Sequence, residues 1–159
     1  MADGFDRDGY ALVEITGFEG LEIGQRFPNP PRTVTEAHFS AFQAVSGDNH
    51  PIHYDREYCK AQNHKDLLAH GFQVLSVTAV GAGLFPHVVG PALIGFIEQS
   101  SRFLKGVFPG DTLYPLAVVT DLKKQRTTGV VTLRTTLHNQ DGELVLDGEH
   151  KYLLRLAAE

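Results

Sequence analysis

The sequence predicts an α+β fold in a single domain, with an antiparallel β-sheet wrapped around a central buried α-helix. Three observations lead to this prediction. The 159-residue chain is long enough to bury one core without disulfides or metals. The apolar segment 72–84 has no polar face, and four segments with strand character follow it. A generic α+β sandwich is the alternative that the same order of elements allows.

The first half of the chain carries the helix signals. Thr35 is a suitable N-cap, apolar residues repeat behind it at helical spacing, and 46–48 (Ser-Gly-Asp) ends the helix. Asp55 can cap a short second helix through about Gln62. Because 72–84 is apolar all round, we expect it to form one helix that is buried on all sides.

The second half of the chain is predicted to consist of strands. The candidates are 92–104, 112–123, 130–138 and 143–155. In the last two, apolar residues alternate with polar ones, which is typical of half-buried antiparallel strands. Asp141-Gly142 between them indicates a hairpin turn. The prolines of 25–31 restrict any strand there to the edge of a sheet.

Charge and composition narrow the partners and the compartment. With a net charge of -5 and no basic stripe, the chain does not resemble a nucleic-acid binder. Cys59 is the only cysteine, which excludes an intramolecular disulfide and suits a reducing cytoplasm. No segment is long and apolar enough to span a membrane, and the start lacks a signal-peptide pattern. We expect a cytoplasmic protein with a flexible lead-in over 1–17 and one domain over 18–159.

Asp48 and His53 are the candidate catalytic residues. They lie in one short segment, 46–55, separated by a proline and by no regular structure. Hydration of an α,β-unsaturated thioester requires that water lose a proton as it attacks Cβ and that Cα gain one. A carboxylate and an imidazole that contact the same water can perform both transfers, since their pKa values bracket neutrality.

Each of these residues also has a plainer interpretation. An aspartate after glycine is commonly a turn or cap residue, and a histidine beside proline is commonly part of a loop. Asp48, His50 and His53 are also of the types that bind metals, although we expect no metal here.

Ala69-His70-Gly71 stands immediately before the apolar segment. The backbone N–H of Gly71 would lie in the first helical turn, where it has no partner within the helix. It is therefore a candidate donor to a thioester oxygen on which negative charge develops. The alternative is that the glycine only starts the helix.

The run 45–55, Val-Ser-Gly-Asp-x-x-Pro-Ile-His-x-Asp, resembles the hydratase motif of the MaoC-like dehydratases and (R)-specific enoyl-CoA hydratases. His70-Gly71 and the Pro109-Gly110-Asp111 turn are also similar to that family, and the match extends from about Phe18 to Arg155. The resemblance implies the hotdog fold, with the active site near a subunit interface. It also implies water held by Asp48 and His53 and an oxyanion hole at Gly71.

The activity implied by the resemblance is syn addition of water to a trans-2-enoyl-CoA, giving the (R)-3-hydroxyacyl-CoA, or the reverse dehydration, as in fatty acid metabolism. No cofactor is expected, because CoA is part of the substrate, and a homodimer or an assembly of dimers is the expected state. The family usually has asparagine before the motif proline, where this chain has His50 after Asn49. We expect Asn49, His50 and His70 to orient the loop or to contact substrate.

Two other functions stay open at this stage. A hotdog thioesterase would direct water at the thioester carbonyl and would not need the Asp48–His53 pair. A non-catalytic acyl-CoA-binding subunit would keep the fold without turnover.

Overall fold

The computed structural model of the protein describes residue 6 and residues 9–157. The predicted lead-in, 1–17, therefore lies partly outside the described residues. Its last two residues are bound to the rest of the fold. The backbone N–H groups of Thr16 and Gly17 both donate to the carbonyl oxygen of Val88, at 2.9 and 3.2 Å. The boundary between lead-in and domain stays a prediction.

Among the described residues, six strands form an antiparallel sheet. They are β1 (Arg26–Pro28), β2 (Arg32–Thr33), β3 (Leu93–Phe103), β4 (Thr112–Lys124), β5 (Thr128–His138) and β6 (Leu144–Arg155). The order is β1-β4-β5-β6-β3, and β2 pairs separately with β4. The four long strands match the predicted segments to within two residues at each end. The proline-containing β1 lies at an edge, as predicted.

The first predicted helix is confirmed as α1 (Glu36–Ser46), with Thr35 as its N-cap. The backbone N–H of Thr35 donates to Nδ1 of His38 at 3.0 Å. Gly47 ends the helix in the left-handed conformation, with φ of 71°, and its N–H donates to the carbonyl oxygen of Gln43 at 2.8 Å. Glycine adopts this conformation without the steric cost of a Cβ atom.

The second predicted helix is confirmed as α2 (Arg56–Ala61). The carboxylate of Asp55 accepts hydrogen bonds from the backbone N–H groups of Glu57 and Tyr58, at 2.9 and 3.0 Å. These N–H groups have no carbonyl partner within the first helical turn, so the side chain supplies it.

The prediction of one continuous helix over 72–84 is wrong. The segment contains α3 (Gly71–Ser76) and a single turn at Val80–Ala82, and α4 (Phe85–Val89) follows it. Nor is the apolar surface of the segment fully covered, since Phe72 is 75% exposed. Among the described residues, no helix is both long and apolar enough to cross a membrane.

Side-chain hydroxyl groups explain where α3 ends. Ser76 Oγ donates to the carbonyl oxygen of Gln73 at 2.6 Å, and Thr78 Oγ1 donates to that of Leu75 at 2.7 Å. Hydroxyls bound in this way compete with the backbone N–H groups that would continue the helix. The glycines and β-branched residues that follow have low helix propensity, so the chain turns instead.

The helical segment packs on one face of the sheet in two clusters of buried residues. In the first, Phe85 and Val89 of α4 lie among sheet residues that include Val131, Leu133 and Leu154. In the second, Val74 of α3 and Phe39 of α1 lie among residues that include Leu113, Leu137 and Leu146. The second cluster stabilises the part of the fold from which the loop after α1 emerges.

The strand β3 lies at the edge of the sheet, where the described residues pair it with β6 alone. Five of its large apolar side chains are exposed, and these are Leu93, Ile94, Phe96, Ile97 and Phe103. A long apolar edge strand is unusual on the surface of a monomer, since it invites pairing with another chain.

Candidate active site

Asp48 is held by the loop that connects α1 to α2. Its backbone N–H donates to Ser46 Oγ at 3.2 Å, and its Oδ1 accepts from the backbone N–H of His50 at 3.2 Å. An aspartate that accepts from the N–H two residues later stabilises a tight turn of this kind. One carboxylate oxygen is therefore occupied by the loop, and Oδ2 is left for the neighbouring imidazole.

His53 closes a single 3-10 turn, Pro51–His53, and is 9% exposed. Its Nδ1 lies 2.5 Å from the carbonyl oxygen of Leu68. Because a carbonyl can only accept, Nδ1 carries the proton and Nε2 of the neutral ring has a free lone pair. That Nε2 lies 3.8 Å from Asp48 Oδ2.

Burial lowers the pKa of His53 below its ordinary value, and the imidazoles of His70 and His50 lower it further. The hydrogen bond to the Leu68 carbonyl and the Asp48 carboxylate act in the opposite direction and only partly compensate. The imidazole is therefore neutral near pH 7, which is the form that accepts a proton.

The distance between Asp48 and His53 suits a bridging water. At 3.8 Å the two atoms are too far apart for a direct hydrogen bond. One oxygen at about 2.8 Å from each would bind both groups, with the carboxylate as acceptor. The sequence predicted that both side chains contact the same water, and the structure places Asp48 Oδ2 and His53 Nε2 close enough for one water to bridge them.

His70 lies directly beside this pair, and Gly71 follows it in the sequence. The His70 ring stacks on the His53 ring, with centroids 3.8 Å apart and planes at 25°. Gly71 begins α3, so its N–H belongs to the first turn and has no partner within the helix. The candidate oxyanion donor is therefore adjacent in sequence to a residue that contacts the candidate base.

A cleft of about 330 Å³ opens at Gly71. Its walls include Phe103 at the end of β3, Lys105 from the chain after β3, and Val74 from α3. A Cβ atom placed on Gly71 would lie 3.4 Å from the Phe103 ring, so a side chain there would occupy part of the cleft. Asp48 and His53 are not among the residues that line it.

Asn49 and His50 lie near the pair, but the contacts of their side chains are within the loop and with α1 and α2. Gln43 of α1 donates to Oδ1 of Asn49. Nδ1 of His50 accepts from the backbone N–H of Ile52 at 3.3 Å, and the His50 ring packs edge-on against Tyr58. Both side chains are therefore placed to orient the loop.

The residues that could together bind a metal in the structure are not the three that the sequence suggested. Among the described residues, Asp48, His53 and His70 offer atoms within 4.8 Å of one another, and His50 is not in the group. Nε2 of His70 already lies 2.7 Å from the Tyr54 hydroxyl. A metal ion at this position would therefore have to break a buried hydrogen bond, which makes the set a poor ligand cage.

Two residues near the pair were given no role in the sequence analysis. Tyr54 contacts His70 across the loop, and Gln73 Oε1 lies 3.0 Å from Nδ1 of His70. Gln73 could have been noticed, because it is a polar residue in an apolar segment and stands one helical turn after His70. Nothing local distinguishes Tyr54, whose partner is distant in the sequence.

Comparison with known proteins identifies the family. Residues 19–140 match the family described as MaoC like domain. This is more than half of the 159-residue chain, and the chain therefore belongs to that family.

Among curated relatives, the (R)-specific enoyl-CoA hydratase of Aeromonas caviae is 30% identical over 135 residues, covering 82% of this chain and 93% of the relative. The solved structure of a monoamine oxidase regulatory protein from Archaeoglobus fulgius is similar with a TM-score of 0.85 at 31% identity, covering 94% of this chain and 100% of that one.

A third similar protein has a solved structure whose fold is described by name. The protein RV0216 of Mycobacterium tuberculosis, described as having a double hotdog fold, matches with a TM-score of 0.76 at 26% identity. The match covers 91% of this chain and 46% of that one. The predicted hotdog fold is confirmed by this likeness together with the sheet and its covering helices.

Proposed function

We propose that the protein is a hydro-lyase that adds water to a trans-2-enoyl-CoA to form the (R)-3-hydroxyacyl-CoA, or removes it in reverse. The observation that carries the proposal is the pairing of Asp48 with His53. Asp48 Oδ2 and His53 Nε2 lie 3.8 Å apart, and the protonated Nδ1 of His53 faces the Leu68 carbonyl. Membership of the family and the activity for which the Aeromonas caviae relative is named support it.

In the proposed reaction, His53 Nε2 removes a proton from water while the water oxygen forms a bond to Cβ of the substrate. The electron pair of the double bond moves towards the thioester, and the negative charge develops on its oxygen. Cα then receives a proton from the Asp48–His53 pair, called the dyad below, so that the elements of one water molecule are added. Asp48 orients the water and assists the return of the proton.

Gly71 is the proposed oxyanion donor. Its backbone N–H would bind the thioester oxygen most strongly when that oxygen is negatively charged, which lowers the barrier more than it tightens substrate binding. Delivery of both hydrogen and hydroxyl from the dyad side of the substrate gives syn addition. The reaction needs no cofactor, because CoA enters as part of the substrate.

A homodimer is the proposed working state. The apolar side chains of β3 are exposed at a sheet edge, and the cleft at Gly71 is open on the same side of the chain, where Phe103 of β3 lines it. A second copy that covers this edge would bury the apolar surface and enclose the substrate.

The lone thiol of Cys59 suits the cytoplasm, which is the proposed location.

The proposal is tested by supplying crotonyl-CoA and a series of longer and branched trans-2-enoyl-CoAs to the purified protein. Loss of the conjugated double bond and release of free thiol are followed separately. We expect loss of the double bond without thiol, and chiral analysis of the product should give the R isomer. Thiol release would indicate a thioesterase, and no reaction with any substrate would indicate an acyl-CoA-binding subunit.

A further inference from the structure

We propose that Tyr54, His70 and Gln73 form a hydrogen-bonded chain that positions the Asp48–His53 pair relative to Gly71. Tyr54 and His70 are then positioning residues, which act through the dyad without contacting the reacting atoms. The inference rests on the proposed hydratase function. It adds to that function the hydrogen bonds that join the Asp48–His53 pair to the start of the helix at Gly71.

The contacts of the chain are continuous. The Tyr54 hydroxyl lies 2.7 Å from His70 Nε2, and His70 Nδ1 lies 3.0 Å from Gln73 Oε1. The hydroxyl also lies 3.2 Å from the carbonyl oxygen of Asp48. His70 is only 2% exposed, so these bonds are shielded from competing solvent.

The protons can be assigned from the chemistry of the partners. With Gln73 Oε1 as acceptor, His70 Nδ1 is the donor and its Nε2 accepts from the Tyr54 hydroxyl. Each ring nitrogen of His70 then has a partner, whereas Gln73 Nε2 is buried without a hydrogen-bond partner among the described residues. Removal of the hydroxyl would leave His70 Nε2 buried without its donor, which is costly and releases the ring.

The chain joins the residues that the reaction needs to hold together. Tyr54 follows His53 in sequence, and its hydroxyl oxygen lies in contact with the Asp48 carbonyl oxygen at 3.2 Å while its single proton is donated to His70. His70 stacks on the His53 ring and is the residue before Gly71, at the start of α3. A displacement of the His70 ring would therefore change both the position of the base and its distance to the oxyanion donor.

Such a displacement should affect turnover more than substrate binding. Small errors in the placement of a catalytic group raise the barrier steeply, whereas the surface of the cleft at Gly71 does not include Tyr54 or His70. A residue with only a structural role would instead lower the melting temperature and leave the activity of the folded fraction unchanged.

The experiment compares Tyr54→Phe, His70→Leu and His70→Gln with the wild type in the crotonyl-CoA hydration assay. We expect kcat to fall about tenfold in Tyr54→Phe and further in His70→Leu, with KM within about threefold of the wild type. His70→Gln keeps a polar group that can reach the Tyr54 hydroxyl, so it should recover part of the activity lost in His70→Leu. Tyr114→Phe, on an exposed tyrosine outside the site, is the matched control.

The double variant Tyr54→Phe/His70→Gln tests whether the two residues act through one hydrogen-bonded chain or independently. If they act through one chain, the kcat of the double variant should be close to that of the less active single variant. Wild-type kcat in Tyr54→Phe, a rise in KM alone, or fully additive losses would overturn the inference. These results would leave the proposed function standing, since that function fails only if the wild-type protein does not hydrate enoyl-CoA.

Discussion

At the scale of single residues, the proposed chemistry depends on one nitrogen atom, Nε2 of His53. The Leu68 carbonyl fixes the proton on Nδ1, and burial together with nearby imidazoles favours the neutral ring. Neither influence could be read from the sequence, because Leu68 enters the site only through the fold.

The lowered pKa of His53 predicts how the rate depends on pH. His53 should stay unprotonated and active until the pH falls below the ordinary histidine value of about 6.5. The acid limb of kcat/KM should therefore lie below that value, as measured by enoyl-CoA hydration across the acid and neutral range. An acid limb above the ordinary histidine value would contradict the assignment of His53 as a buried base.

A substitution at Gly71 tests whether the substrate needs the space in the cleft beside this residue. In Gly71→Ala the new methyl group lies 3.4 Å from the Phe103 ring, which is tolerable for the fold but fills part of the cleft where the thioester would bind. We expect kcat/KM to fall about tenfold or more, with the melting temperature unchanged or slightly raised.

The control for this change is Gly81→Ala, where a Cβ atom meets nothing within 4 Å. It should keep wild-type kinetics. Equal activity of the Gly71 and Gly81 variants would contradict the proposal that the thioester binds in the space beside Gly71.

At the residue level, the sequence could predict which side chains lie close together only where they are close in the chain. Asp48 and His53 share one short loop, so their meeting required little knowledge of the fold. The Tyr54–His70 contact could not be predicted in the same way, because it joins two segments that the chain brings together only when α3 packs on the sheet.

At the scale of secondary structure elements, the stability of α2 affects the loop that carries Asp48 and His53. Asp55 caps the helix with two hydrogen bonds, and Cys59 Sγ donates to the carbonyl oxygen of Ile52 in the turn that carries His53. Loss of the cap should therefore loosen the helix on which this turn rests.

Asp55→Ala is expected to lower the free energy of unfolding by about 1 kcal/mol, as measured by urea denaturation. Asp55→Asn retains an oxygen acceptor and should lose much less. If both variants lost the same stability, the charge of Asp55 would matter more than its hydrogen bonds to the helix.

Strand boundaries were predictable and the helix length was not. The alternation of apolar and polar residues along β5 and β6, with glycine at the connecting turn, predicted two antiparallel strands. The polar face of β5 is largely buried as well, since Thr132 and Thr136 are 6% and 8% exposed. The apolar residues of 72–84 are interrupted only by Gln73, Ser76 and Thr78 and show no such period, so they cannot distinguish one long helix from several short turns. The hydroxyls of Ser76 and Thr78 determined the outcome.

At the scale of the whole molecule, the exposed edge of β3 predicts the oligomeric state. A charged residue on an apolar edge strand opposes pairing with another chain. The double variant Ile94→Lys/Ile97→Lys should shift a dimer of the 17.5 kDa chain towards monomer and reduce its hydratase activity, as measured by light scattering and the enoyl-CoA assay.

Tyr114→Lys is the matched control, since Tyr114 is 47% exposed on β4, a strand that is paired on both sides. It should remain dimeric. A wild-type protein that is monomeric and fully active would contradict the proposal that a second copy covers this edge.

The central claim is that Asp48 and His53 act together on one water molecule, and the turnover of their variants tests it most directly. In Asp48→Asn and in His53→Gln, kcat for crotonyl-CoA hydration should fall by about 100-fold or more while circular dichroism shows an unchanged fold. The double variant should be little worse than either single one, because each residue depends on the other. Near-wild-type kcat in both single variants would contradict the account.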